Sequence, residues 1–233
     1  MGRRIAIGLI LLGSFALLFG GGRASSSGNQ VVHPINESGR PIPAYRGDKP
    51  LTIVVRGWLW DPSSRRVIPP MKGFPSKVNE LLAREHGLET QFFDYRWTRL
   101  PKDVIDESVA FIDWSRRVAS MGASEGRCVN FIGHSAGAAF VYRAASQGVP
   151  MGYMGTLGLP TFGTLKPSSV DTWANFYTST HSDDAAGAIW ADQMPADANL
   201  DLRRYHRDFW LADEVVRATA DAVATSWSEC EAG

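Results

Sequence analysis

The chain has 233 residues with 24 basic and 24 acidic side chains, 44% hydrophobic content and two cysteines. That length fits one domain near the upper limit of a single core, and that hydrophobic share excludes wholesale disorder. The balanced charge excludes the basic stripe of a nucleic-acid binder, and two cysteines exclude a disulfide-dense scaffold or an all-cysteine zinc site.

Arg3-Arg4 precede an uncharged, largely apolar run from Ile5 to Phe19, and small residues follow. This is the pattern of a secretory signal peptide over residues 1–24, with cleavage expected after Ala24. The alternative is an uncleaved N-terminal anchor, since Ile5 to Gly22 approaches the length of a membrane span. Both readings predict an exported protein, secreted or periplasmic, with membrane association only through residues 5–22 if they are retained. Of the 24 basic side chains, Arg3, Arg4 and Arg23 go with the signal, so 21 face 24 acids, a charge of −3. Residues 25–50, with Ser25-Ser26-Ser27-Gly28, Pro34, Pro41 and Pro43, read as an extended arm with room for one short strand at Val31-Val32.

The folded domain is expected over residues 51–233. Leu51 to Val55 is a largely β-branched run ending in Arg56-Gly57. Further strands are expected at Thr90 to Trp97, Cys128 to Gly133, Met151 to Leu157, Thr172 to Ser179 and Asn199 to Tyr205. Helices are expected at Pro75 to His86, Asp103 to Met121, Ser135 to Gln147 and Asp213 to Trp227. Val104, Phe111, Ile112, Ser115, Val118 and Ala119 have the three-and-four spacing of a buried helical face. Gly87, Gly122 and Gly148 stand where left-handed helix caps are expected. Strands alternating with such helices predict an α/β fold, a mostly parallel sheet with helices on both faces. Ligands of such sheets bind at the carboxyl ends of the strands, so functional residues should follow strands directly.

Gly133-His134-Ser135-Ala136-Gly137 matches G-x-S-x-G. The pattern alone arises by chance roughly once in five chains of this composition. Its setting is more specific, because an apolar strand precedes it and helix-forming alanines follow. A sharp strand-to-helix turn needs small neighbours, and it lifts a serine hydroxyl above the sheet with helical N–H groups beside it. The bland alternative is a serine helix cap between small residues.

Through this GHSAG pentapeptide on its strand, residues 51–227 resemble the α/β-hydrolase family, most closely its lipases, carboxylesterases and thioesterases. The first strand, with Arg56-Gly57 where the family often has His-Gly, and the strand ending Asp94-Tyr95-Arg96-Trp97 support the resemblance. It implies a three-layer α/β-hydrolase-like fold and a triad in the chain order Ser, Asp or Glu, His. Ser135 is then the nucleophile. Only His181 and His206 follow it, and His206, after the last strand, fits the base. The acid falls on the loop Thr180 to Gly187, where Asp184 is preferred and Asp183 is the alternative. The oxyanion hole would use Ala136 N–H with a backbone N–H at Gly57 or Trp58. His181, Asp183 and Asp184 also suit a metal, but no second histidine cluster completes a site, so neither metal nor cofactor is expected.

Large caps in the family follow the strand after the nucleophile helix, and here only residues 158–171 are available, so no large cap domain is expected. Ordinary loops must then build the pocket. Trp58, Trp60, Trp97, Phe209 and Trp210 are its candidate walls, apolar enough for a small-molecule or lipid-like ester, although each ring is as readily core. Trp190 is a further such ring. The proline-rich loop Leu59 to Met71, with Arg65-Arg66, is expected to form a flap. Cys128 opens the nucleophile strand at the edge opposite the site, and a final helix antiparallel to the strands brings Cys230 there. A disulfide is expected, the alternative being one buried thiol and one in the tail. The competing functions are an inactive hydrolase-fold binding or scaffold protein, and a peptidase or amidase with the same triad.

Overall fold

The computed structural model describes residues 48–57, 60–61, 66–67, 73–95, 104–160, 165–179 and 194–232. The expected signal segment, nearly all of the arm, and Trp58, Trp97, His181, Asp183, Asp184 and Trp190 lie outside the described residues. Strand β1 (Leu51–Val55) is buried along its whole length, as suits a β-branched run covered on both faces. A short antiparallel hairpin of β2 (Trp60–Asp61) and β3 (Arg66–Val67) follows, within the expected flap. Helix α1 (Phe74–His86), β4 (Gln91–Tyr95), α2 (Val104–Ser124), β5 (Val129–His134), α3 (Ala136–Ser146) and β6 (Met151–Leu157) complete the first half. The second half contains β7 (Val170–Tyr177), β8 (Ala198–Asp201), a 3-10 helix (His206–Leu211) and α4 (Asp213–Ala232).

Six strands form one sheet in the order β4-β1-β5-β6-β7-β8, and every pairing is parallel. Alternate strand residues feed two cores. Ile53, Val55, Phe131 and Trp173 pack with Phe111 and Val118 of α2 and Phe140 of α3. Val54, Ile132, Tyr153 and Phe176 pack with Phe74 and Val78 of α1 and Val215 and Val223 of α4. The result is the three-layer arrangement of an α/β hydrolase. From β1 the chain runs outward to β4, then returns to β5 on the other side and continues outward in that direction. The order therefore reverses between β1 and β5, and the crevice at their carboxyl ends is where such sheets bind ligands. Between β6 and β7 stand only residues 158–169, too few for a cap domain. Among the described residues no helix is long and apolar enough to cross a membrane.

Gly87 and Gly148 adopt the expected left-handed conformation, with φ of 64° and 81°. Gly122 does not. Helix α2 continues through it to Ser124, and Gly126 (φ 66°) makes the turn. Arg127 N–H bonds Gly122 O at 2.8 Å and Gly126 N–H bonds Ala123 O at 3.1 Å, the paired closure that satisfies a helix's last carbonyls. Strand β8 also stops earlier than the expected Tyr205, because Asp201 accepts a bond from Arg203 N–H and turns the chain there. Cys128 and Cys230 are bonded, with Cα atoms 5.9 Å apart, fixing the end of α4 to the start of β5.

Candidate active site

Ser135 joins β5 to α3 with φ 54° and ψ −124°, a conformation that L-residues rarely adopt and that costs roughly 1–3 kcal/mol. Neighbouring groups hold it there. Its N–H bonds Leu157 O at the end of β6 (2.8 Å), and its carbonyl accepts from Ala138 N–H (2.9 Å) and Ala139 N–H (3.3 Å). Its hydroxyl makes no capping bond to α3, which removes the reading of Ser135 as a helix cap. The first N–H groups of α3 have no intrahelical acceptor by geometry and lie beside the serine.

The turn closes only because its neighbours lack side chains. A Cβ on Gly133 would stand 2.5 Å from Ala138 Cα and 2.6 Å from Ala138 N. One on Gly137 would stand 2.5 Å from Arg56 O and 2.8 Å from Arg56 C, so α3 rests directly on the end of β1. On Gly57 it would stand 2.7 Å from Ser135 Cβ and 2.8 Å from His134 O. The Gly57 backbone thus abuts the serine. Gly57, 78 residues earlier in the chain, is brought against the Ser135-Ala136 turn.

Arg56 explains how a residue other than histidine fits before Gly57. It is buried and forms a two-point ion pair with Asp94, its Nε 2.7 Å from Oδ1 and its second nitrogen bonded to Oδ2. Burial raises the Asp94 carboxyl above its ordinary value, against the downward pull of Arg56. The pair ties the end of β1 to the end of β4. Sequence reasoning marked both residues and missed their pairing, which depends on the register Val54↔Asp94 between strands distant in the chain.

His134 links the elbow to the segment carrying the candidate base. Its ring centroid lies 6.4 Å from that of Phe209 and 5.7 Å from that of Trp210, both in the 3-10 helix that His206 opens. His206 therefore begins a helix seated against the residue before Ser135. Of the two readings open for Phe209 and Trp210, pocket wall or core, their burial favours core. Phe209 has no exposed surface and Trp210 only 6%, and Trp210 packs edge-on to Phe74 at 5.0 Å. They are core rings because the short helix turns them inward beneath His134. Trp60 lies in the hairpin.

Asp201, unmarked by the sequence, stands at the end of β8 and accepts bonds from Ser179 and Arg203. Among the described residues one potential metal group, Glu85, His86 and Asp221, lies on the exposed surface. Its Glu85 is already bonded to Arg84 and Arg217.

Strand order and elbow together define an α/β-hydrolase-like fold with Ser135 at the strand-to-helix turn after β5. No protein-family model matches the chain, and no curated protein does. Two crystal structures are among those similar to it. One, from Xanthomonas campestris pv. campestris and described under the alpha/beta superfamily of hydrolases, is 17% identical; the overlap covers 76% of this chain and 97% of that one at a TM-score of 0.45. The other, from Thermus thermophilus, is 11% identical and overlaps 77% of this chain and 89% of that one at a TM-score of 0.47. The assignment of the fold rests on the strand order and the elbow.

Proposed function

We propose that the protein is an exported serine hydrolase that cleaves carboxylic esters through an acyl-enzyme. The observation that carries this reading is the strained Ser135, with no helix-capping bond, beside the Gly57 backbone at the switch point of the sheet. A strained backbone so heavily constrained marks a site where geometry is being held for chemistry. Ser135 Oγ attacks the ester carbonyl carbon while His206 accepts its proton, oriented by Asp184 or, as the alternative, Asp183. The carbonyl electron pair moves onto oxygen, where Ala136 N–H and a backbone N–H at Gly57 or Trp58 stabilise the charge. Collapse expels the alcohol, which takes the proton from His206. Water then attacks the acyl carbon, giving a proton to His206, and Ser135 leaves with that proton as the acid is released.

The absence of room for a cap between β6 and β7 supports a pocket made by ordinary loops, with Trp58, Trp60 and Trp97 as its remaining aromatic candidates. Export rests on the N-terminal pattern and is supported by the Cys128–Cys230 bond, which persists in oxidising compartments. Turnover of p-nitrophenyl esters by the wild type and by Ser135→Ala tests the reading. Loss of nearly all turnover in the variant is expected, and equal rates would end it.

A further inference from the structure

Asp201 joins the roots of two loops that lie far apart in the chain. From the end of β8 its Oδ1 accepts the N–H of Ser179 at 3.1 Å and the N–H of Arg203 at 3.1 Å. Its Oδ2 accepts the Ser179 hydroxyl, and Arg203 Nε lies 3.8 Å away. Ser179 is the residue from which the acid-bearing loop departs after β7, four residues before Asp183. Arg203 precedes His206 by three. Arg203 is also one of two described non-glycine residues with positive φ, at 50°. That is the left-handed region, which an arginine occupies only when the surrounding contacts hold it there. The Asp201–Arg203 bond spans two residues, the Asx turn in which a carboxylate imitates a backbone carbonyl.

We propose that Asp201 is a positioning residue for catalysis, fixing the departure of the acid loop relative to the base segment. This inference rests on the serine-hydrolase reading. Register supports it: Tyr177 pairs with Asp201 across β7 and β8, so the carboxylate meets Ser179 just beyond the last pair of the sheet. The next backbone bond, Leu202 N–H to Tyr177 O at 2.8 Å, closes the ladder. Beyond it, Asp201 supplies a polar link between the two segments. Partial burial pushes its carboxyl up, but the Ser179 hydroxyl and N–H, with Arg203, outweigh this and hold it below the ordinary value. The group is a carboxylate at neutral pH, an acceptor on both oxygens. Misplacing a reacting group by about 1 Å costs on the order of a hundredfold in rate, so a small shift of either root matters.

The test uses the full chain and three variants, Asp201→Ala, Asp201→Asn and Ser179→Ala. Ester turnover and the rate of fluorophosphonate labelling of Ser135 are read, with circular dichroism as the check of folding. Asp201→Ala is expected to lower kcat and the labelling rate roughly ten- to hundredfold with KM changed less than about threefold. Asp201→Asn keeps Oδ1 for both N–H groups and offers an amide to the Ser179 hydroxyl, so it should recover most of the rate. Ser179→Ala loses only the hydroxyl bond and should lower kcat a few-fold, a result that holds if Asp201→Ala does not fold. Wild-type labelling with unchanged rates in Asp201→Ala or, failing that, in Ser179→Ala would overturn the inference alone. Equal losses in Asp201→Ala and Asp201→Asn would overturn it too, showing that charge and not geometry is needed. Absence of Ser135-dependent labelling in the wild type would remove the hydrolase reading and this inference with it.

Discussion

Replacing both cysteines with serine, Cys128→Ser with Cys230→Ser, removes the bond that ties the last helix to the nucleophile strand. The bonded residues are 102 apart in sequence. Closing a loop of that size takes about 4.7 kcal/mol of conformational freedom from the unfolded chain in the loop-entropy model. Little should be lost on the folded side. Val215, Val216, Thr219, Ala220, Val223, Ala224 and Ser226 are already buried before the helix reaches Cys230. Each apolar side chain among them keeps its burial free energy, and only the turn beyond Ser226 depends on the bond. Destabilisation should therefore approach the loop value. At roughly 2–4 °C per kcal/mol for a domain of this size, Tm should fall by about 10–18 °C. Thermal unfolding followed by far-ultraviolet circular dichroism measures this, and helix content at 25 °C should be nearly unchanged. Labelling of Ser135 at 25 °C should be unaffected too, because Cys128 precedes β5 and Ser135 follows it. A fall in Tm under about 3 °C would refute the loop argument. Loss of helix at 25 °C would refute the claim that packing alone holds α4.

Three further outcomes are expected. Gly133→Ala places a Cβ 2.5 Å from backbone at Ala138, which no side-chain motion relieves, so it should abolish Ser135 labelling and lower Tm sharply; Gly87→Ala, at φ 64° with open space around it, should cost only about 1 kcal/mol. Asp94→Ala removes the acceptor of two N–H donors of buried Arg56, and because Asp94 is 26% exposed the cost should be about 2–3 kcal/mol, below the usual range for a buried pair, measured by urea unfolding. Burial pushes the Asp197 carboxyl up, but its bonds from Lys166 and Trp173 N–H and the Lys166 charge together hold it below its ordinary value of 3.8. Its folded pKa is therefore depressed, so its contribution is complete above the ordinary value and fades as pH falls through the lower folded value. Asp197→Asn should flatten Tm against pH below about pH 4 and leave the slope above pH 6 unchanged.

The strands were legible because buried parallel strands read as short apolar runs, and those of β1, β5 and β6 are interrupted by clear helical spacing. The elbow was legible because its glycines answer to local crowding, which sequence spacing reflects directly. Gly122 misled for a physical reason: two glycines four residues apart can each end a helix, and only the closing bonds of Arg127 and Gly126 select Gly126. Phe209 and Trp210 stood open between pocket wall and core because aromatic residues beside a candidate catalytic loop serve packing and binding equally well. Their burial against His134 depends on the 3-10 helix, whose short length leaves little periodicity to read. The Arg56–Asp94 and Asp201–Ser179 links were not legible at all. Both join strand ends that only the register of the folded sheet makes neighbours.

The central claim is that Ser135 is a nucleophile and not merely a residue in a tight turn. Intact-mass and peptide mass spectrometry of the folded protein after treatment with a fluorophosphonate tests it most directly. One adduct, on the peptide containing Ser135 and absent from Ser135→Ala, is the expected result. A folded protein that takes up no adduct, or takes it up equally in Ser135→Ala, would contradict the account.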